Sequence, residues 1–259
     1  MKSTAIVAVT LAAASVVMAA AEHSEITSRR ASERKAFTDA EIAEGFLKTA
    51  FGAELDLAGT TNRIRRFDGP VRVHVESRAQ PDRRGEVAGV VADIRTHIQH
   101  LDIAVVENAA DANMVVTLVR DRDLPRAMSR IYGRERARLI QRSLAPQCLS
   151  SFRKDENFRI IRSDVIIVAD AGDFIFYDCI YEELLQALGP INDTNAVPWT
   201  MFNDDVQMGF FDVYDQYLLN ILYDPRIRPG MAADEVRALL PEVMPAVRAF
   251  VTRVNKMEP

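Results

Sequence analysis

The sequence predicts an α/β protein in which a sheet with helices comes first and a mostly helical region follows. Val71, Val73 and Val75 alternate with polar residues, a pattern typical of a half-buried strand. Residues 165–168 form an unbroken run of Val and Ile, which fits a strand buried on both faces. From residue 174 onward the spacing of apolar residues is helical. We therefore expect a mixed, twisted sheet packed against helices and followed by a helical C-terminal subdomain.

The first half of the chain alternates between helix and strand patterns. A helix begins at Thr38, because Thr38 and Glu41 have the spacing of a capping box. Asp68-Gly69-Pro70 is a turn signal that separates residues 64–67 from the first strand. Strands are predicted at residues 71–76, 113–120 and 158–169, and helices at residues 86–101 and 124–144. Gly133 lies inside the last of these helices, so two shorter helices are the alternative for this segment.

The second half contains a central helix over residues 174–188, which Gly189 and Pro190 end. Residues 190–211 have loop character, and a further helix is predicted at residues 212–223. The tail over residues 234–254 is also helical in pattern, but it contains Pro241 and Pro245. Proline removes a helical hydrogen bond, so we expect this tail to kink or to split into two helices.

The N-terminus predicts export. Lys2 precedes a short apolar run, and small residues follow around position 19, as in a secretory signal peptide. We assign residues 1–21 to the signal peptide and residues 22–36 to a flexible lead-in. The main domain is predicted over residues 37–230, and residues 231–259 form a C-terminal helical extension packed on it. We expect a periplasmic or secreted protein with no transmembrane segment in the mature chain.

Charge and cysteine content limit the possible partners. The chain has 37 acidic and 32 basic residues, and this acidic balance argues against a nucleic-acid partner. The two cysteines, Cys148 and Cys179, are an even number in a chain bound for an oxidising compartment, which predicts a disulfide. Two buried free thiols are the alternative.

The segment around the central helix has the spacing of the zinc-peptidase motif HExxHxxGxxHD without its histidines. Glu182, Gln186 and Asn192 stand at the three histidine positions. Glu183 stands at the general-base position, and Gly189 and Asp193 stand at the glycine and trailing aspartate positions. The spacing of the motif is therefore kept while the ligand types are changed.

Further positions extend this similarity. Met201 lies nine residues after Asn192, where metzincin peptidases have the methionine turn below the metal, and residues 211–223 are similar to the closing metzincin helix. The order of strands and helices from Pro70 onward also resembles a metzincin. The resemblance implies a zincin-like layer in which Gly189, Asp193 and Met201 support the site, and a cleft that runs beside an edge strand of the sheet.

A second resemblance is more specific. Residues 181–189, the Asn192-Asp193 pair, and the segments 202–205 and 222–231 resemble DUF2927, a proteobacterial family of domains of unknown function, over roughly residues 37–240. That family implies exported bacterial proteins, some of them lipoproteins, with no established activity. This chain lacks the cysteine that carries the lipid in those lipoproteins.

The changed ligands argue against a catalytic zinc, because zinc prefers imidazole or thiolate ligands and neutral amides bind it poorly. We expect no cofactor, although the oxygen-rich set of Glu182, Gln186 and Asn192, with Asp193 as a possible fourth ligand, leaves calcium or magnesium open. Glu183 is the candidate catalytic residue, but without a metal-activated water a structural carboxylate is the simpler interpretation.

Three functional hypotheses follow. The first is a non-catalytic pseudo-peptidase that binds a peptide or protein in the former substrate cleft. The second is a peptidase-like hydrolase that uses Glu183 with an atypical metal or none. The third is a purely structural envelope protein with an inactive cleft. The ligand and the oligomeric state are not encoded in any recognisable pattern.

Overall fold

A computed structural model describes residues 23–51, 62–144, 147–190, 192, 194–203 and 205–258. The predicted signal peptide over residues 1–21 lies outside the described residues, as does the candidate site residue Asp193. Within the described part of the chain, no helix is both long enough and apolar enough to cross a membrane.

The centre of the fold is a five-stranded sheet with the order β2-β1-β3-β5-β4. Its strands are β1 (Val71–Ser77), β2 (Ile103–Val105), β3 (Met114–Val119), β4 (Cys148–Lys154) and β5 (Ile160–Val168). The strands β2, β1, β3 and β5 are parallel, and β4 pairs antiparallel with β5. The predicted mixed α/β architecture is confirmed, and β4 lies at one edge of the sheet.

Eight helices surround the sheet within the described ranges. They are α1 (Ser24–Ser32), α2 (Asp39–Ala50), α3 (Arg84–His97), α4 (Leu124–Tyr132), α5 (Arg134–Leu144), α6 (Asp173–Gln186), α7 (Val213–Tyr223) and α8 (Ala233–Val254). The capping box at the start of α2 is present as predicted. Gly133, at a φ of 80°, separates α4 from α5.

The sheet has a different core on each face, because successive side chains of a strand point to opposite sides. Val165 and Ile167 of β5 belong to the larger core, which also contains residues of α2, α3, α6, α7 and α8. Ile166 and Val168 belong to a smaller core under α4 and α5. The unbroken apolar run in β5 is therefore explained by burial on both faces.

Two expectations differ from the structure. Residues 22–36, expected to be a flexible lead-in, contain α1, because Ile26 is buried and the guanidinium of Arg30 lies 4.1 Å from the ring centroid of Phe210. The tail with Pro241 and Pro245 forms one helix, α8, so of the two expected alternatives the split into two helices is wrong. Burial of its apolar face against α7, α2 and α3 compensates for the hydrogen bonds that proline removes.

Two strands have no clear pattern in the sequence. The strand β2 has three residues, too few for a period to show. The strand β4 is mostly polar and has one fully buried side chain, Leu149. Residues 63–67 form only isolated bridges, Arg63 with Ala232 and Arg66 with Arg159.

Candidate functional site

Helix α6 carries the degenerate motif and is held on the sheet by an ion pair and a disulfide. Near its N-terminus, the guanidinium of Arg83 donates to Asp173 at 2.6 Å and to the carbonyl of Ala169 at 2.8 Å. Further along, the sulfur of Cys179 is bonded to that of Cys148 on β4, and the two Cα atoms are 5.8 Å apart. The predicted disulfide is confirmed, and it fixes the edge strand against the helix.

Glu182 and Gln186 are brought together, as the one-turn spacing predicts. The Gln186 Nε2 donates to Glu182 Oε1 at 3.5 Å, and the hydroxyl of Ser150 on β4 donates to Gln186 Oε1 at 3.3 Å. Glu183 and Gln186 are 6% and 7% exposed. Glu182, Glu183 and Gln186 each have at least one interaction partner. The end of α6 and the middle of β4 therefore form one polar cluster, which we call the α6–β4 cluster.

Asn192, the third degenerate position, is held elsewhere. Its side-chain Nδ2 donates to the carbonyl of Lys48 at 2.7 Å, and its backbone N–H donates to the carbonyl of Thr49 at 3.3 Å. Both acceptors lie in the last turn of α2. The amide of Asn192 thus ties the chain after α6 to α2, and no described contact joins it to Glu182 or Gln186.

Gly189 explains how the chain turns after α6. Its φ is 147°, and a Cβ atom at this position would lie 2.3 Å from the carbonyl oxygen of Arg65. No other residue fits such a backbone approach without movement. The preceding carbonyl, of Leu188, accepts a hydrogen bond from the hydroxyl of Tyr223 at 2.9 Å. The glycine is required by packing as well as by the turn.

Met201 is buried in a turn that α7 supports. Its backbone N–H donates to Asp215 Oδ2 at 2.8 Å, and the hydroxyl of Thr200 donates to the other carboxylate oxygen. Asp212, which caps α7, accepts from the N–H groups of Tyr214 and Asp215. Burial and the neighbouring Asp215 raise the pKa of Asp212 well above its usual value. The turn that contains Met201 is thus held by the buried carboxyl group of Asp215, which lies beside that of Asp212.

Tyr132, at the end of α4, belongs to the α6–β4 cluster and has no recognisable signal in the sequence. Its hydroxyl donates to the backbone carbonyl of Ser150 at 3.3 Å. Burial raises the pKa of Tyr132 to about 12. A hydrogen bond with the side chain of Ser151 acts in the opposite direction, and the nearby carboxylates of Glu183 and Asp164 contribute to the increase. A single tyrosine about 50 residues before the motif has no spacing that could have identified it.

The outer edge of β4 carries backbone groups that point away from the rest of the sheet. The N–H of Val168 donates to the carbonyl of Gln147, so this antiparallel pair is hydrogen-bonded. Hydrogen-bonded and non-bonded pairs alternate along antiparallel strands, so the backbone groups of Cys148, Ser150 and Phe152 point away from β5. The contact of Tyr132 with the Ser150 carbonyl agrees with this direction.

Within the described ranges, no three His, Cys, Asp or Glu side chains are grouped so that they could hold a metal ion. The residues that are grouped in the α6–β4 cluster are two carboxylates, one carboxamide, one hydroxyl and one phenol. Such a set can accept and donate hydrogen bonds to a polar ligand.

Fold and site together define a mixed α/β protein with an edge strand fixed beside a helix that carries buried carboxylate and carboxamide groups. The chain belongs to the family described as "Protein of unknown function (DUF2927)", whose model matches residues 39–242. The family resemblance in the sequence is thereby confirmed. No curated protein and no solved structure matches the chain, so the metzincin resemblance stays a prediction.

Proposed function

We propose that this protein is exported and binds an extended segment of a polypeptide along the outer edge of β4, in a metzincin-like fold that has lost its catalytic zinc. The observation that carries the proposal is the position of β4. It is an edge strand with outward backbone groups, and a disulfide fixes it beside the buried Glu183 and Gln186 of α6.

Strand addition supplies the affinity in this proposal. An exposed sheet edge pairs with an extended chain through backbone hydrogen bonds, and neighbouring side chains give specificity. On β4 the outward backbone groups belong to Cys148, Ser150 and Phe152, whose side chains face α6, and the carbonyl of Ser150 accepts from Tyr132 in the unbound protein. A bound segment would therefore lie over the α6–β4 cluster.

The donor set does not fit a catalytic zinc. Such a site needs three convergent imidazole, thiolate or carboxylate ligands, whereas the three motif positions hold one carboxylate and two carboxamides. The amide of Asn192 is also directed to Lys48. The same argument leaves calcium or magnesium with few charged oxygens, so we propose that the site acts without a metal.

Glu183 supports a second candidate function. Its carboxylate is buried and lies near the phenol of Tyr132, whose pKa it raises. A buried carboxylate beside a phenol can exchange a proton with a bound group, as a hydrolase requires. Hydrolysis that disappears in Glu183→Gln, with the fold intact, would favour this candidate over the binding protein.

Export is supported by the disulfide. Disulfides form and persist in the periplasm and outside the cell, and they are rare in the cytosol of most bacteria. The bond between Cys148 and Cys179, both near the α6–β4 cluster, would thus form after translocation. We propose a periplasmic or secreted location for the mature protein.

The test of polypeptide binding uses a matched pair of edge variants. A random dodecapeptide library displayed on phage is selected against the wild-type protein, and affinities of the recovered peptides are measured by fluorescence anisotropy. Ser150→Pro removes an outward N–H of β4 without removing a bond to β5. Val105→Pro is the control on β2, at the opposite edge of the sheet. There the carbonyl of Asp102 and the N–H of Val106 form hydrogen bonds to β1, so the backbone N–H of Val105 between them points away from β1.

We expect Ser150→Pro to weaken binding at least tenfold and Val105→Pro to leave it unchanged, with circular dichroism confirming both folds. Equal affinity of the wild type and Ser150→Pro for every recovered peptide would contradict the proposal. Failure to recover any peptide from the library would contradict it as well.

A further inference from the structure

A cavity of about 900 Å³ lies where residues 35–37, which connect α1 to α2, meet the C-terminal end of α8. It is also bounded by Tyr217 of α7 and by residues between 248 and 258, at the end of α8 and after it. None of the residues of the α6–β4 cluster lines it. Its volume is in the range that holds a small organic molecule.

The charge of this cavity is opposite to that of the chain. Lys35, Arg248, Arg253 and Lys256 line it against a single acidic residue, Glu258, whereas the whole chain has a net charge of -5. Like charges that converge on a concave surface attract an anion and raise its local concentration. The cavity therefore presents a local positive field on an acidic protein.

The four cationic side chains differ in the hydrogen bonds and ion pairs that they form. Arg248 is fixed, because it donates to the carboxylate of Asp39 and to the carbonyl of Phe37. The closest carboxylate oxygen to the Lys35 ammonium belongs to Glu33, at 3.9 Å. Arg253 and Lys256 form no ion pair with any residue that the structure describes, and the guanidinium of Arg253 lies 5.3 Å from the ring centroid of Phe250. Since no carboxylate of the described residues neutralises these two charges, both can attract an anion.

The helix dipole alone does not explain the cluster. Cations are favoured near the C-terminus of a helix, which accounts for Arg253 and Lys256 at the end of α8. Lys35 comes from a separate segment, and Arg248 lies more than a turn before the helix end. The backbone N–H groups of residues 255–257 donate to carbonyls of α8. Side chains must therefore provide the attraction for an anion.

Part of the cavity lining is apolar. Ala36, Ala249 and Met257 supply the apolar surface that a ligand can reach. Phe37 and Tyr217 lie beneath it at 7% and 2% exposure, and the guanidinium of Arg248 lies 5.5 Å from the ring centroid of Tyr217. An inorganic ion would leave this surface wet, whereas a molecule with an apolar body would cover it.

We propose that this cavity binds a small organic anion. Its carboxylate or phosphate group contacts Lys35, Arg253 and Lys256, and its apolar body packs on Ala36, Ala249 and Met257. The site is independent of polypeptide binding at β4.

The test uses phenyl phosphate as the probe, with inorganic phosphate and phenol as partial probes, and calorimetry as the measurement. Arg253→Gln/Lys256→Gln removes the two positive charges that form no ion pair with the described residues. The control Arg138→Gln/Arg142→Gln removes two exposed charges on α5. Ala249→Trp fills the cavity and leaves all charges in place, on an exposed position of α8.

Saturable binding of phenyl phosphate is expected, with binding of inorganic phosphate and of phenol at least tenfold weaker. The double variant at 253 and 256 and Ala249→Trp should each weaken phenyl phosphate binding at least tenfold, and the α5 control should not. Absence of saturable binding, or equal binding by wild type and either cavity variant, would overturn the proposal.

Discussion

The disulfide between Cys148 and Cys179 joins the edge strand β4 to α6 one helical turn before Glu183. Cys148 is also two residues before Ser150, whose hydroxyl and carbonyl contact Gln186 and Tyr132. One covalent bond thus sets the distance between the outward backbone groups of β4 and the polar end of α6. We infer that the geometry of the proposed cleft depends on it.

Replacing both cysteines by serine should lower the free energy of unfolding by about 3 to 4 kcal/mol. The bond closes a loop with a sequence separation of 31 residues, and releasing it increases the entropy of the unfolded chain by that order. Urea unfolding of the variant measures the loss, and the wild type under a reducing agent should fall to the same value. Equal midpoints for variant and oxidised wild type would rule the effect out.

Gly189→Ala should destabilise the fold by about 2 kcal/mol or more, because the new Cβ would meet the Arg65 carbonyl at 2.3 Å in an unfavourable backbone conformation. Gly89→Ala is the matched control, since nothing lies within 4 Å of its Cβ position in α3. That control should stabilise the protein by about 0.5 to 1 kcal/mol through helix propensity. Thermal unfolding compares the two, and equal shifts would show that the contact is not limiting.

Asp178→Asn should stabilise the protein at neutral pH. Burial raises the pKa of Asp178 to about 6, so the folded protein binds its proton more tightly than the unfolded chain does. The stability that this proton contributes is present below about pH 4 and is lost as the pH rises through 6. Asparagine keeps the oxygen that accepts from the N–H groups of Met208 and Gly209.

The measurement is the free energy of unfolding of Asp178→Asn minus that of the wild type, taken from pH 3.5 to pH 7.5. This difference should increase by about 1 to 3 kcal/mol across the range. The control Asp234→Asn, at a side chain that is 93% exposed, should show no such increase. A constant difference for Asp178→Asn would mean that the carboxyl is not perturbed.

Tyr132→Phe should strengthen peptide binding several-fold. Removing the hydroxyl frees the carbonyl of Ser150, which a bound strand needs as an acceptor, and one hydrogen bond is worth about 1 kcal/mol. Tyr181→Phe is the control, because it removes a hydroxyl of α6 that donates to Asp93 instead. Fluorescence anisotropy with the selected peptides gives the affinities. Weaker binding by Tyr132→Phe would indicate that the phenol contacts the ligand directly.

The sequence predicts the parts of the fold that have local signals. The apolar run in β5, the capping box of α2 and the pairing of two cysteines each follow from short-range pattern or from number, and each is confirmed. The helix α1 and the strand β4 could not be predicted in this way. Ile26 and Leu149 are the one buried apolar residue in each of these two elements, so tertiary contacts decide the structure of both.

In the candidate site, too, local spacing predicts some contacts and only the tertiary structure determines the others. Glu182 and Gln186 meet because helical spacing brings residues four apart to one face. Asn192 follows the turn at Gly189, and the position of its side chain is set by the carbonyl of Lys48, which no spacing encodes. Tyr132 enters the cluster from another helix across the sheet edge, which is a purely tertiary relationship.

The central claim is that the α6–β4 cluster works without a metal, and the metal content of the protein tests it most directly. The protein is purified without chelators, incubated with zinc, desalted and analysed by inductively coupled plasma mass spectrometry, with Gln186→Ala as the comparison. The account predicts well below one zinc per chain, the same in both proteins. One zinc per wild-type chain that is lost in Gln186→Ala would contradict it.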